Sequence, residues 1–256
     1  MMRAVFFDVD GTLLSHTDTT VSPGTRAALE ALKQAGILRV LATGRHSSEL
    51  ADLPVRDLTF DGAVTVNGQL CLEGDGSVFY DHPITGPDRE TLLRHFRERT
   101  MPLLLVERDR TYINFVNDRV RQAQAAISSP LPEVAVYTGG PVYQVIAYAD
   151  PAEEAALRDQ LSGCRLTRWN PYGVDILSAD GGKVAGMEAF LRRHGIDRGE
   201  IMAFGDGDND AEMLAFAGIG VAMGNARESA KRAADYVTAS VDEDGIAKAL
   251  CHFGLL

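Results

Sequence analysis

An apolar run that ends on paired acids is the strongest constraint this chain carries. Val5, Phe6, Phe7 and Val9 read as a buried strand, and Gly11-Thr12 breaks it just after Asp8 and Asp10. Side chains alternate along a strand, so the two aspartates start out on the same side. Like charges that close destabilise each other, raise a pKa or recruit a cation. Paired aspartates beside a glycine can also simply cap a turn. The rest of the chain has to separate the two readings.

At 256 residues, one or two domains are both expected. The hydrophobic share of 45% and charged share of 24% belong to an ordinary soluble globular protein. A formal charge of -11 argues against a general nucleic-acid binder, because phosphate backbones need clustered Lys and Arg. A small anionic substrate stays open, since it feels the local field rather than the net charge. No apolar stretch reaches the ~20 residues of a membrane span, and no charged leader with an apolar signal core precedes the first strand. Cys71, Cys164 and Cys251 are scattered and odd in number, as expected of free thiols in a reducing cytoplasm.

The first strand is followed by Ser22-Pro23, a helix start with Ser as cap and Pro at the first helical position. Ala27, Ala28, Ala31, Leu32 and Ala35 supply the apolar face, and Gly36 the stop. Residues 37–41 then form a second strand that ends at Thr43-Gly44-Arg45. This is a right-handed crossover unit. Residues 63–72 read as a hairpin around Asn67-Gly68, a pair suited to a type I′ turn. Residues 83–181 change rhythm to α-ββ-α-β-α-ββ, enough for a sheet and core of their own. From Lys183 onward, helix and strand alternate cleanly again. The expected organisation is a doubly wound α/β domain of residues 1–82 and 182–256, split by an inserted α/β domain of residues 83–181.

Four polar elements fall at strand ends or helix starts, where open α/β sheets build their sites. They are Asp8-x-Asp10-Gly11-Thr12, Thr43-Gly44-Arg45, Lys183, and Asp206-Gly207-Asp208-Asn209-Asp210. Taken singly, the second is a common turn, the third a solvated lysine and the fourth an acidic capping loop. Carboxylates without His or Cys partners favour a hard, oxygen-loving cation, and Mg²⁺ fits best. His16, His46, His82, His95, His194 and His252 show no metal-ligand spacing.

These four motifs, in this order, resemble the haloacid dehalogenase (HAD) superfamily. The large α/β insertion is similar to the cap of the Cof-type (class IIB) sugar-phosphate phosphatases. The resemblance implies a Rossmann-like HAD core and a cytoplasmic, Mg²⁺-dependent phosphomonoesterase acting on small phosphorylated metabolites. Asp8 would be the nucleophile that forms an aspartyl-phosphate, and Asp10 the general acid and base. The side chains of Asp8 and Asp206, with the Asp10 carbonyl, would bind the metal. Thr43, Gly44, Lys183 and Asn209 would hold the phosphoryl group. Asp210 would orient Lys183 or a metal-bound water. Asp10 also suits a phosphosugar mutase, and a catalytically silent binding protein on the same scaffold is a third reading. Specificity is expected from the cap, with Arg108, Arg110, Tyr112, Asn114, Arg168, Trp169, Asn170 and Tyr172 as candidates. Neither nucleic acid nor membrane is an expected partner, and the oligomeric state is not legible.

Overall fold

The computed structural model describes residues 1–17, 19–127 and 129–256. The described residues form two compact units, one of Met1–Tyr80 with Lys183–Leu256, the other of Asp81–Gly182. The chain begins with β1 (Ala4–Phe7), α1 (Pro23–Gln34), β2 (Leu38–Ala42), α2 (Ser47–Leu50), β3 (Gly62–Thr65), β4 (Leu70–Glu73) and β5 (Val78–Asp81). Next come α3 (Gly86–Glu98), β6 (Leu103–Val106), β7 (Thr111–Ile113), α4 (Asp118–Ala126), β8 (Gln144–Tyr148), α5 (Pro151–Arg158), β9 (Cys164–Arg168) and β10 (Gly173–Ser178). The remainder is α6 (Lys183–His194), β11 (Ile201–Gly205), α7 (Ala211–Phe216), β12 (Ile219–Ala222), α8 (Glu228–Ala233), β13 (Tyr236–Val237) and α9 (Gly245–His252).

In the first unit the sheet runs β13-β12-β11-β1-β2-β3-β4-β5. β1 lies between β11 and β2 and is parallel to both, Phe6 standing opposite Ala203 on one side and Val40 on the other. All four β1 residues are buried, which is why the strand is uniformly apolar rather than alternating. Phe7 stacks on Phe204 at 5.4 Å, and Phe6 meets Phe190 of α6 edge-on at 5.6 Å. The chain winds outward from β1 through β2 and β3, and on the other side outward from β11. The crevice beyond the C-terminal ends of β1, β2 and β11 is therefore the topological switch point, where such sheets place ligands. Helix α6 approaches the sheet closely at Gly186, where a Cβ would lie 2.6 Å from Val64 Cγ1 and 2.8 Å from Cys71 Sγ.

Local signals explain most boundaries. Ser22 Oγ accepts from the Thr25 N–H at 3.1 Å, capping α1 with Pro23 at its first position. The Asn67-Gly68 connection departs from the expected two-residue turn. Thr65 pairs with Leu70, so four residues, Val66 to Gln69, link β3 to β4. After β11, a tight turn over Asp208–Asp210 leads into α7.

The second unit carries a sheet of order β7-β6-β8-β10-β9, antiparallel at every pairing. Leu103, Leu105, Val145, Ala147, Val174 and Ile176 form one face of its core. Leu92, Leu93 and Phe96 of α3 and Leu157 of α5 pack there too.

Candidate active site

Lys183 opens α6 and is only 3% exposed. A cation in the first turn opposes the helix dipole, and burial adds a desolvation cost. Two carboxylates compensate: Nζ donates to Asp8 Oδ1 at 2.7 Å and to Asp210 Oδ1 at 2.6 Å. Burial pulls the lysine pKa down, but the charges of Asp210 and Asp8 more than offset it and leave it above its usual value. Burial pushes the Asp8 carboxyl well above the carboxylate range, Asp210 adds to that, and Lys183 works against it. One ammonium thus serves two buried acids, and a net negative charge remains. No donor among the described residues reaches Asp8 Oδ2.

Asp206 follows β11 as Asp8 follows β1. Its Oδ1 accepts from Thr12 Oγ1 at 3.2 Å, and its Oδ2 lies 3.5 Å from Asn225 Nδ2 and 3.6 Å from His16 Nε2. Burial, then the charge of Asp210, pushes the Asp206 carboxyl up to about 6. Asp210 is fully buried; its Oδ2 accepts from the N–H groups of Asp206 and Gly207 at 2.9 and 2.8 Å. Carboxylate oxygens of Asp8, Asp206 and Asp210 all lie within 4.8 Å of one another. This oxygen-only cluster with surplus negative charge fits a hard divalent cation such as Mg²⁺.

The Asp10 carboxylate stands apart from that cluster. β1 ends at Phe7, so strand alternation does not carry through to Asp10. Instead, Arg45 Nε and Nη2 each donate to an Asp10 oxygen at 2.7 Å. Thr43 is buried; its Oγ1 accepts from the Arg45 N–H at 3.1 Å, closing the turn around Gly44. Among the described residues none accepts from the Gly44 N–H. Asn209 is exposed and donates from Nδ2 to Asn67 Oδ1 at 3.2 Å. Asp208 accepts from Ser229 Oγ and lies 3.6 Å from Arg227, so it ties its loop to the start of α8. His16, Asn67 and Asn225 reach these groups without any spacing signal in the sequence.

In the second unit several specificity candidates prove to be structural. Tyr112 is buried and donates to Glu107, which also accepts from Arg110. Buried Asn114 accepts from the Leu103 N–H and donates to the carbonyls of Phe96 and Met101. Arg168 binds Glu154 and the carbonyls of Ala149, Asn170 and Pro171. Those contacts shape the turn from Trp169 to Gly173. Asn170 Oδ1 completes it by accepting from the N–H groups of Tyr172 and Gly173 at 2.7 and 2.6 Å. Trp169, at 36% exposure, stands at the start of that turn, and Tyr172 within it is half-buried.

An acid nucleophile candidate, a buried lysine and an acidic cation cradle at the switch point of a doubly wound sheet define a phosphoryl-transfer class of site. Residues 5–250 match the haloacid dehalogenase-like hydrolase family. The phosphatase BT1666 from Bacteroides thetaiotaomicron superposes with a TM-score of 0.91 at 36% identity, covering 100% of this chain and 96% of that one. The HAD subclass IIB sugar phosphatase BT4131 gives 0.84 at 33% identity, with both chains covered completely. Among sequences, the 5-amino-6-(5-phospho-D-ribitylamino)uracil phosphatase YitU of Bacillus subtilis is 29% identical over 263 residues, 96% of this chain and 95% of that one. The chain belongs to the haloacid dehalogenase-like hydrolases, and within them it is a Cof-type phosphatase.

Proposed function

We propose that this phosphatase hydrolyses small phosphorylated metabolites, sugar phosphates foremost, with Mg²⁺ and through an aspartyl-phosphate on Asp8. The observation that carries the reading is Lys183, bonded to Asp8 Oδ1 while Asp8 Oδ2 meets no donor among the described residues. A carboxylate held through one oxygen by a fixed cation presents the other oxygen for attack. As the Oδ2–P bond forms, the ester P–O bond breaks and the leaving alkoxide takes a proton from Asp10. Asp10 then accepts a proton from the water that attacks phosphorus, and the Asp8–phosphate bond breaks to release inorganic phosphate. For the first step the Arg45 pair must open, because a carboxylate accepting two bonds from a guanidinium holds no proton to give.

Asp8 and Asp206, with the Asp10 carbonyl, would hold Mg²⁺. The ion offsets negative charge so that an anionic nucleophile can approach an anionic ester. Asp210 orients Lys183, and Thr43, Gly44 and Asn209 contact the phosphoryl oxygens. The second unit supplies the choice of substrate, with Trp169 and Tyr172 as aromatic side chains suited to packing on a sugar ring. The test is phosphate release from p-nitrophenyl phosphate and a sugar-phosphate panel, with Mg²⁺ or with chelator. Turnover should need the metal and vanish in a folded Asp8→Asn variant. Metal-independent turnover, or an active Asp8→Asn, would sink the reading.

A further inference from the structure

The connection between β3 and β4 is more contorted than a hairpin requires. Val66, Asn67 and Gly68 take φ values of +50°, +51° and +86° in succession. A β-branched residue in the left-handed region is a true outlier, and such conformations persist only where their surroundings enforce them. The contortion points the backbone away from its own hairpin. The Val66 N–H donates to the Arg45 carbonyl at 3.0 Å, and the Asn67 N–H to the Thr43 carbonyl at 2.9 Å. The two bonds bracket Gly44.

The Asn67 side chain continues the same work. A Cβ on Gly44 would stand 3.1 Å from Asn67 Oδ1 and 3.2 Å from its Nδ2, so the amide occupies the space that glycine leaves open. Oδ1 also accepts from Asn209 Nδ2, across a sequence separation of 142 residues. Asn67 therefore touches the turn after β2 and the loop after β11 at once. Its own Nδ2 meets no acceptor among the described residues.

We propose that Asn67 is a positioning residue for phosphoryl transfer, locking the Thr43–Gly44 turn and Asn209 into one phosphate-binding surface. The assignment rests on the phosphatase reading above. Asparagine suits the role because it tolerates left-handed φ and carries an amide. Glycine supplies only the first property, and aspartate supplies both but adds a negative charge.

The experiment compares wild type with Asn67→Gly, Asn67→Asp, Asn209→Ala and the Asn67→Gly/Asn209→Ala double variant. It measures kcat, KM, inhibition by inorganic phosphate and melting temperature. Asn67→Gly should keep its melting temperature and lose about ten- to a hundredfold in kcat/KM, with phosphate inhibition weakened in parallel. Its effect should not add to that of Asn209→Ala, since the two residues act as a unit. Asn67→Asp, which keeps the backbone geometry, should weaken phosphate inhibition by at least as much through repulsion, even if Asn67→Gly folds poorly. Wild-type kcat/KM and phosphate inhibition in both Asn67 variants, or fully additive losses, overturn the assignment and leave the phosphatase reading intact. A wild-type protein without metal-dependent turnover, or turnover that survives Asp8→Asn, overturns the phosphatase reading and this assignment with it.

Discussion

Lys183 shows how strongly a single buried charge can be constrained by its neighbours. Lys183→Met keeps the volume but strands Asp8 and Asp210 together without their cation. Removing one partner of a buried ion pair costs about 3–5 kcal/mol. Urea unfolding at pH 7.5 should show a loss of that order, smaller at pH 5, where Asp8, its carboxyl already pushed upward by burial, takes up a proton more readily. Turnover should fall to the level of Asp8→Asn. A variant as stable as wild type at pH 7.5 would contradict the account. The Asp206 carboxyl makes a second, opposite kind of demand. Its folded-state pKa of about 6 lies above the ordinary 3.8, so the folded state binds the extra proton between those values. That contribution is fully present below pH 3.8 and is lost as pH rises through about 6. Asp8 shifts in the same direction. Metal-free protein should therefore melt higher at pH 5 than at pH 7.5. Added Mg²⁺ should raise the melting temperature mainly at pH 7.5, because ion and proton compete for the same oxygens. Equal Mg²⁺ shifts at both pH values would refute this.

Elements carry the site by their ends, and this is where the sequence was most readable. Asp8, Asp206 and Lys183 could be located because each interrupts an apolar pattern at a strand's end or a helix's start. The Arg45–Asp10 pair and the Asn67–Asn209 bond could not, since nothing local links residues 35 and 142 positions apart. Asn67-Gly68 misled for a physical reason. Its letters satisfy a type I′ turn, whereas bonds to Thr43 and Arg45 set the real conformation. Helix α2 was missed because its four residues are too few for an apolar period. In the second unit, polar residues that looked like ligand contacts bind neighbouring side chains and backbone instead. Asn114 holds together α3, β6 and the end of β7, so Asn114→Ala should cost about 1–3 kcal/mol by leaving the Leu103 N–H unpaired. The ranking of sugar phosphates should not change. Thermal unfolding together with the substrate panel checks both halves.

For the whole molecule, the sequence reading of a doubly wound α/β fold holds, while the strand order of the second sheet lay beyond it. Antiparallel strands can pair in many orders, and only the packed core selects β7-β6-β8-β10-β9. The proposed division of labour gives chemistry to the first unit and choice of substrate to the second. Trp169→Ala should then raise KM for the preferred sugar phosphate several-fold and leave p-nitrophenyl phosphate turnover nearly unchanged, since a stacked ring contributes binding rather than phosphorus chemistry. Parallel losses on both substrates would count against that division.

The central strand has one more consequence, and it concerns time. β1 is made before the second unit, yet one of its two neighbours is β11, made after it, with Ala4 opposite Ile201. A nascent chain halted inside the second unit already carries Asp8 and Thr43 but has neither Lys183 nor Asp206. Translation thus supplies Lys183 and Asp206, the lysine and the proposed cation holder, only after the second unit. On the proposed mechanism, an interrupted chain lacks the groups that would let Asp8 take up phosphate.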